Sequence, residues 1–247
     1  IIGGGGHGAA IAWYLAKHHG IRDVAILEKG YLGGGNTARN TAVIRSNYLT
    51  EEGVNFYRES VDLFGNLSNE LSYNIMLENR GQLTLAHSDA AMRSLRWRAE
   101  VNQHLNVRSE MLDRQAIREL VPNLAMSEDA RFPILGGLWH ADGATGRHDA
   151  VAWGYARAAD AFGVDLLQAC AVTDFEIQGD QLRGVVTDRY GVIHAGRVGC
   201  VVAGNSGVLA GYGGFELPIE SHPLQALVSE PIKPILNTVV MSNQVHG

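Results

Sequence analysis

The chain opens with apolar and glycine-rich stretches that predict a strand, a helix and a second strand in quick succession. Two isoleucines at positions 1 and 2 are typical of the end of a buried strand. Residues 9–17 combine small and apolar side chains in a helical pattern, and residues 24–27 form a short apolar run that ends at Glu28. This order predicts a βαβ unit whose helix packs on a parallel sheet.

After this βαβ unit, the spacing of the apolar residues changes. Apolar side chains recur at helical spacing through residues 51–71, which predicts a long amphipathic helix. Further helices are predicted at 90–104, 114–120 and 149–162, with a short one after Gly207. Strands are predicted at 76–77, 81–86, as a pair within 130–139, and at 164–167, 171–177, 182–187, 192–195, 198–203 and 224–230.

The turn after the first strand has the glycine spacing of a dinucleotide-binding motif. Gly3 suits a tight turn, Gly5 lets the backbone approach a pyrophosphate, and Gly8 lets helix and strand pack closely. The helix N-terminus offers unpaired N–H groups and the positive end of its dipole to an anion. Glu28, twenty residues after Gly8, stands where a carboxylate accepts hydrogen bonds from an adenosine ribose. The alternative is a glycine-rich turn in another kind of α/β protein. The predicted cofactor residues here are Gly3, Gly5, Gly6, His7, Gly8, Ala9, Glu28 and Lys29.

Composition narrows the class of protein and of partner. With 46% hydrophobic and 19% charged residues, the chain has the composition of a globular protein, and its net charge of −6 argues against nucleic acid or an anionic membrane as a partner. Cys170 and Cys200 have neither metal-ligand nor disulfide spacing, which predicts reduced, buried thiols, no metal site and a cytoplasmic location. The chain begins inside a strand without methionine and ends at His246 and Gly247, so we expect a fragment of a longer protein.

The path of the chain after Glu28 favours FAD over NAD. A simple NAD dehydrogenase continues with strand, helix and strand. In this chain a segment with a different pattern of apolar residues follows, and the chain returns to the nucleotide-binding domain with the turn at Ala203 and Gly204. We therefore predict an FAD-binding domain in two segments, 1–70 and 146–213, interrupted by a substrate domain in two segments, 71–145 and 214–247.

Three runs carry a resemblance to the β subunits of heterotetrameric sarcosine oxidases: GGNTARNTAVIRSNY at 34–48, RHDAVAWGYARAA at 147–159, and SHPLQALVSE at 221–230. The resemblance implies an α/β fold with a glutathione-reductase-like FAD domain and an antiparallel substrate sheet. It implies noncovalent FAD where sarcosine is oxidised, and FMN held covalently by a histidine, with electrons passing from FAD to FMN and then to oxygen, giving peroxide. It also implies α, γ and δ subunits, with tetrahydrofolate on the α subunit capturing the one-carbon unit.

The resemblance also implies roles for residues around the cofactor. The loop from Asn36 to Ile44 would run beside the pyrophosphate and the ring, with Asn40 and Thr41 as donors; a self-satisfied turn is the alternative for this pair. Val172 would approach the adenine, and Ala203 and Gly204 would border the cofactor from the other side.

One arginine and one histidine would carry the chemistry beyond FAD binding. Arg45 matches the arginine that binds the substrate carboxylate, with an ion pair to a nearby acid as the alternative, while Arg39 is a weaker candidate that supports the loop. His148 matches the flavin-linked histidine; by its position alone it would be a polar residue at a helix start. Two features depart from the family pattern: Ala150 replaces a second histidine, and the family's C-terminal third is absent.

Three functions follow from these patterns. The leading hypothesis is a sarcosine oxidase β subunit acting on an N-methyl amino acid, which makes the protein an enzyme. A related subunit for N-methylglutamate or opines shares the architecture and differs in substrate. A redox-silent assembly subunit that keeps FAD as a structural element is a hypothesis of another class.

Overall fold

The structure, a computed structural model, describes residues 1–242. It has the mixed α/β fold that the sequence predicts, with six α-helices and twelve strands among these residues. The predictions that involve His246 and Gly247 lie outside the described residues. Within residues 1–242, every helix is too short or too polar to cross a bilayer.

The helices are α1 Gly6–His19, α2 Glu51–Glu70, α3 Asp89–His104, α4 Arg114–Leu120, α5 His148–Asp160 and α6 Ser206–Tyr212. The strands are β1 Ala25–Glu28, β2 Val43–Ile44, β3 Glu78–Asn79, β4 Gln82–Ala86, β5 Ser109–Leu112, β6 Gly136–His140, β7 Ala144–Thr145, β8 Asp165–Gln168, β9 Val172–Gln178, β10 Gln181–Thr187, β11 Gly191–His194 and β12 Val239–Ser242. Two 3-10 turns cover Asn36–Arg39 and Ala203–Asn205.

Contacts divide the chain into two compact units. The first unit contains Ile1–Thr41, Leu71–Ile75 and Arg147–Leu227; the second contains Ala42–Glu70, Met76–Gly146 and the chain from Val228 onward. The first unit is thus built from segments that lie far apart in the sequence. The domain limits given above from the sequence stay a prediction.

Parallel pairing organises the start of the first unit. β1 pairs with β8, and Ile2 forms parallel bridges to Leu27 on one side and to Cys200 on the other. The segments therefore lie side by side in the order of Cys200, Ile2, β1 and β8. Because parallel strands meet with their carboxyl ends at one edge, the loops after Ile2, β1 and Cys200 come together there.

Small side chains let α1 and α5 pack closely. The buried face of α1 contains Ala9, Ala12 and Ala16, and that of α5 is similarly rich in alanine. The Trp13 ring meets the Tyr155 ring edge to face, with 5.4 Å between centroids. Small side chains at a helix interface allow the two helix axes to lie closer together. This close packing explains why residues 9–17 are rich in alanine.

A three-stranded antiparallel meander, ordered β11-β10-β9, completes the first unit. A buried cluster of five residues lies in this unit and contains Ile2, Leu27, Cys170, Val185 and Leu209. Cys170 is therefore a buried core thiol, as predicted, and burial raises its pKa. Cys200 is exposed, so the prediction that it is buried is wrong.

The second unit is built on a four-stranded mixed sheet, ordered β12-β4-β6-β5. β4 and β6 are antiparallel, as are β5 and β6, whereas β12 joins β4 in parallel. Every residue of β4 is buried, because separate apolar clusters cover its two faces. One cluster includes Ile117 of α4, and the other includes Leu95 and Ala99 of α3.

The structure corrects two strand predictions in the second unit. The strand predicted at 76–77 occurs instead at β3, because Met76 has φ +54°, outside the extended region. Of the pair predicted within 130–139, only β6 forms; its edge partner is β5, whose sequence SEML lacks β-branched residues and was not recognised as a strand.

Two later strand predictions also differ from the structure. Residues 198–203 form no regular strand. Val201 N–H donates to the Ile2 carbonyl at 2.8 Å, but the extended segment ends at Ala203, which has φ +47°. Residues 224–230 pair with no other strand among residues 1–242, and the Leu224 side chain is 95% exposed. An apolar run predicts burial only where a partner edge is within reach.

Candidate functional site

A cavity of about 480 Å³ lies in the first unit, where the loops after the parallel strands meet. Its size is that of a small-molecule or cofactor site. Many of the sequence-predicted cofactor residues line it, namely Gly3, Gly5, Gly6, His7, Gly8, Glu28, Lys29, Asn36, Val172, Ala203 and Gly204. The structure therefore brings together residues from four separate parts of the chain.

Two glycines of the motif make this packing possible. Gly3 has φ +104°, and a Cβ on it would lie 2.2 Å from the carbonyl oxygen of Val201. A Cβ on Gly8 would lie 2.0 Å from the carbonyl oxygen of Gly3. Since no real Cβ atom approaches an oxygen this closely, both positions require glycine for backbone-to-backbone contact.

The N-terminus of α1 supplies donors for an anion. The helix begins at Gly6, and its N-cap, Gly5, has no side chain to pair with the first-turn N–H groups. One of those groups, Gly6 N–H, donates to Thr37 Oγ1 at 3.0 Å. The other N–H groups of the first turn and the helix dipole give this end of the cavity a positive potential, which suits a phosphate.

Glu28 is held by the backbone of two glycines. Its Oε2 accepts from Gly4 N–H and its Oε1 accepts from Gly30 N–H, each at 2.8 Å. These bonds fix the carboxylate at the end of β1, on the wall of the cavity. Both oxygens keep further lone pairs, so the carboxylate can also accept from a ribose hydroxyl. That contact stays a prediction.

The opposite wall comes from the returning segment of the chain. Ala203 holds φ +47°, a left-handed conformation that costs a non-glycine residue about 1 kcal/mol or more. Its carbonyl accepts from Ser206 Oγ at 2.7 Å, and Gly204 accepts from Ser221 Oγ at 2.8 Å. These hydroxyls brace the strained turn that Ala203 and Gly204 present to the cavity.

Only part of the loop after β1 lines the cavity. Arg39 donates to the carbonyl of Gly35 at 2.9 Å and also to that of Gly34, so these contacts brace the glycine loop. Asn40 Nδ2 donates to the Thr37 carbonyl, a turn contact within the loop. The predicted site residues outside the cavity lining are Ala9, Arg39, Asn40, Thr41, Ile44, Arg45 and His148. Ile44 instead lines a separate cavity of about 610 Å³ within the second unit.

Thr37 is a cavity residue that the sequence analysis did not select. Its hydroxyl is bonded to the α1 N-terminus, and it lies 3.0 Å from where a Cβ of Gly5 would be. Because glycines 33–35 and Asn36 precede it, the sequence shows a flexible loop but not which hydroxyl folds back on the motif. Two hydroxyl residues, Thr37 and Thr41, occur in that loop, and spacing alone does not separate them.

His148 is the first residue of α5, which begins one residue before the start predicted at 149, and it is half-buried. Its Nδ1 is buried and has no hydrogen-bond partner among the described residues. On either side, Arg147 Nε and Asp149 Oδ1 form an ion pair at 2.8 Å. Although burial raises the pKa of Asp149, the hydrogen bond from Arg147 helps to lower it overall. Asp149 is therefore ionised beside a histidine that has an unused ring nitrogen.

Arg45 lies in the second unit, just after β2. Its Nη1 donates to Asn47 Oδ1 at 2.9 Å, and its guanidinium lies over the Tyr48 ring, 4.2 Å from the centroid. Tyr48 in turn stacks on Tyr57 of α2, with 4.0 Å between centroids. Among residues 1–242, no acid forms an ion pair with Arg45, so the alternative of a simple surface ion pair lacks a partner here.

A buried histidine lies close to this arginine. His140 Nδ1 donates to the Arg108 carbonyl at 3.2 Å, and its Nε2 accepts from Ser46 N–H at 3.3 Å. This pattern fits the neutral ring, and burial lowers the pKa of His140. Asn47, next to Ser46, donates to Gln82 Oε1 at 3.0 Å, so the segment that follows Arg45 is fixed by buried polar contacts.

The cavity of the first unit fits an adenine dinucleotide. Such a cofactor requires three features, and the cavity has them. The glycine contacts leave no room for a side chain, so the backbone can approach the cofactor. The N-terminus of α1 has no capping side chain and offers N–H donors, and the fixed Glu28 carboxylate at the end of β1 offers acceptors. In the described part of the chain, no group of three or more histidine, cysteine or acidic side chains has metal-binding geometry.

Comparisons with known proteins agree with this geometry. The chain is 49% identical to the sarcosine oxidase subunit beta of Arthrobacter sp over 246 residues, and 50% identical to that of Rhodobacter capsulatus over 247 residues. Each alignment covers 100% of this chain, which spans 60% and 59% of the length of these relatives. The crystal structure of L-proline dehydrogenase from P. horikoshii superposes with a TM-score of 0.85 at 26% identity, covering 98% of this chain and 63% of that one. Residues 1–245 match the family described as FAD dependent oxidoreductase (DAO). The resemblance and the fold class predicted from the sequence are thus confirmed, and the chain belongs to the FAD dependent oxidoreductase family.

Proposed function

We propose that this chain is the FAD-binding and substrate-binding part of a sarcosine oxidase β subunit. The observation that carries the proposal is the 49–50% identity with two such subunits across the whole chain. The cavity of the first unit supports noncovalent FAD, with the pyrophosphate at the N-terminus of α1 and Glu28 on the ribose. The loop from Asn36 to Ile44 would run beside the pyrophosphate and the ring.

The reaction balances as a two-electron oxidation of a secondary amine. Sarcosine loses two electrons and two protons across its N–CH3 bond, and water hydrolyses the resulting imine to glycine and a one-carbon unit at the oxidation level of formaldehyde. A bound flavin would serve as the two-electron acceptor, and oxygen would finally take the electrons to give hydrogen peroxide. The one-carbon unit would pass to tetrahydrofolate on an α subunit.

Arg45 would bind the carboxylate of the amino acid. A guanidinium stays charged when water is removed and can form two parallel hydrogen bonds to a carboxylate. The contacts with Asn47 and Tyr48 hold this side chain in one orientation without neutralising it. A fixed and unneutralised cation is what a carboxylate site requires, since an acid on the protein would compete with the substrate.

We further propose that His148 holds FMN covalently. Its buried Nδ1 without a partner is the observation of this structure that supports the proposal. A neutral imidazole nitrogen is a nucleophile that can bond to the 8α position of a flavin. Acid precipitation of the full complex, digestion and mass spectrometry test the assignment: we expect an FMN adduct on the peptide containing His148, and complete release of flavin into the supernatant would contradict it.

We propose that this chain acts in the cytoplasm, within a complex that also contains α, γ and δ subunits. Within this chain, the segments 1–70 and 146–213 would form the FAD domain, and 71–145 and 214–247 the substrate domain. Both relatives are β subunits, which supports a protein of several subunits. The negative net charge of −6 is consistent with small-molecule and protein partners.

Anaerobic titration of the complete complex tests the function. Sarcosine should bleach the flavin absorbance, and oxygen should restore it with the release of peroxide. Bleaching by N-methylglutamate or an opine, but not by sarcosine, would assign the protein to the related substrate classes. A complex that contains FAD and bleaches with none of these amines, yet does so with dithionite, would favour the redox-silent assembly subunit.

A further inference from the structure

A second arginine of the second unit lies beside Arg45. Arg98 is on α3, more than fifty residues away in sequence, and its side chain is partly buried. Its Nε is buried and has no hydrogen-bond partner within residues 1–242. The two arginines interact electrostatically: burial lowers the pKa of Arg98, and the charge of Arg45 lowers it further.

The aromatic residue Tyr48 ties both arginines to one place. The Arg45 guanidinium lies 4.2 Å from the Tyr48 ring centroid, and the charge of Arg98 also acts on the Tyr48 hydroxyl. Asn102, one turn after Arg98 on α3, donates from Nδ2 to the Tyr48 carbonyl at 2.7 Å. This bond fixes the helix face that bears Arg98 against the segment that bears Arg45.

Four other arginines of the described residues form ion pairs with acids. Arg80, Arg108, Arg114 and Arg147 pair with Glu78, Asp142, Glu128 and Asp149. In the described part of the chain, neither Arg45 nor Arg98 pairs with an acid. Two like charges near each other and partly removed from water destabilise a protein unless an anion joins them. The pair therefore has the charge arrangement of an anion site.

We propose that Arg98 is a second substrate-binding cation, and that Arg45 and Arg98 together bind the carboxylate of the amino acid substrate. The proposal rests on the proposed function and extends it, since it adds a specificity-determining residue from α3. Tyr48 contacts Arg45 directly and is bonded to Asn102, one turn from Arg98. In the proposed site, the substrate carboxylate would accept hydrogen bonds from both guanidinium groups. A substrate without a carboxylate would leave two partly buried cations unneutralised and would be rejected.

Steady-state kinetics of the complete complex test this role with Arg98→Gln and Arg98→Lys. We expect Arg98→Gln to raise the KM of the amine substrate and the Ki of methoxyacetate, a carboxylate without an amine, by about tenfold or more, with a smaller change in kcat. Arg98→Lys keeps the charge and should show a smaller rise. A third variant, Arg98→Ala, tests chemical rescue. Added guanidinium ions should partly restore its KM, which a purely structural role of Arg98 would not allow.

Arg96→Gln is the matched control, because Arg96 is exposed on the same helix. Its KM and Ki should equal those of the wild type. An unchanged Ki for methoxyacetate in Arg98→Gln, together with a raised Ki in Arg45→Gln, overturns the proposal and leaves the proposed function standing. A wild-type complex that sarcosine does not reduce contradicts the proposed function; the same series then uses the amine that does reduce it. If the wild type binds neither acetate nor methoxyacetate by calorimetry, the carboxylate site itself is refuted.

Discussion

The cavity of the first unit and the arginine pair of the second unit both suit an anion, but they are built by different means. The cavity relies on backbone: glycines in contact with carbonyls, the N–H groups of a helix start, and loops drawn together by parallel strands. The arginine pair relies on side chains that protrude from a loop and from α3, held by Tyr48 and Asn102.

This difference determines which substitutions each region tolerates. A backbone site fails when volume is added, because a Cβ has no space beside a carbonyl oxygen. A side-chain site accepts changes of volume but fails when charge is removed, because its energy comes from hydrogen bonds to a guanidinium. Single substitutions in each region therefore separate the two kinds of site.

The largest effect is expected for Gly8→Ala in the first unit. The new Cβ would lie 2.0 Å from the Gly3 carbonyl oxygen, so the α1 start and the first strand must separate. We expect a loss of unfolding free energy on the order of 4 kcal/mol and a flavin content near zero. Flavin absorbance per protein and thermal unfolding measure this. Gly35→Ala is the control: Gly35 also lines the cavity, but its Cβ would meet no atom within 4 Å, and a similar loss there would refute the backbone-contact argument.

A smaller effect, confined to substrate binding, is expected for Arg45→Met in the second unit. Removal of the cation should raise the KM for sarcosine on the order of 10²-fold, equivalent to about 3 kcal/mol, while flavin content stays that of the wild type. Kinetics of the complete complex and its absorbance spectrum provide both numbers. Arg93→Met, an exposed position on α3, should change neither. An unchanged KM in Arg45→Met would remove this arginine from the site.

The smallest effect concerns the pH dependence of stability near Arg45. Burial holds the pKa of His140 below its ordinary value, so the unfolded state binds a proton below about pH 6.5 that the folded state does not. The free energy of unfolding should therefore fall as pH drops below this value, by at most about 1.4 kcal/mol per pH unit. Denaturant unfolding at pH 7.5 and 5.5 measures the slope. His140→Gln should flatten it, whereas His104→Gln, an exposed histidine, should not; equal slopes in all three would exclude His140 as the cause.

Local sequence alone determined the first unit's cofactor motif. The spacing of Gly3, Gly5 and Gly8 and the acid at Glu28 encode backbone geometry directly. The start of α4 at Arg114 follows from its N-cap Asp113, whose side chain accepts from Ala116 N–H at 2.8 Å. Such features depend on residues close in the chain. They are therefore visible in the order of the amino acids.

Tertiary structure decided which distant residues meet. Nothing in the spacing of Arg45 and Arg98 indicates that both act on Tyr48. Likewise, only the fold of the loop onto α1 distinguishes Thr37 from Thr41. The strand predicted at 224–230 shows the same dependence, because an apolar run forms a strand only when a partner edge is available. Local order fixes backbone conformation, whereas the neutralisation of a charge or the pairing of an edge depends on which parts of the chain the fold brings into contact.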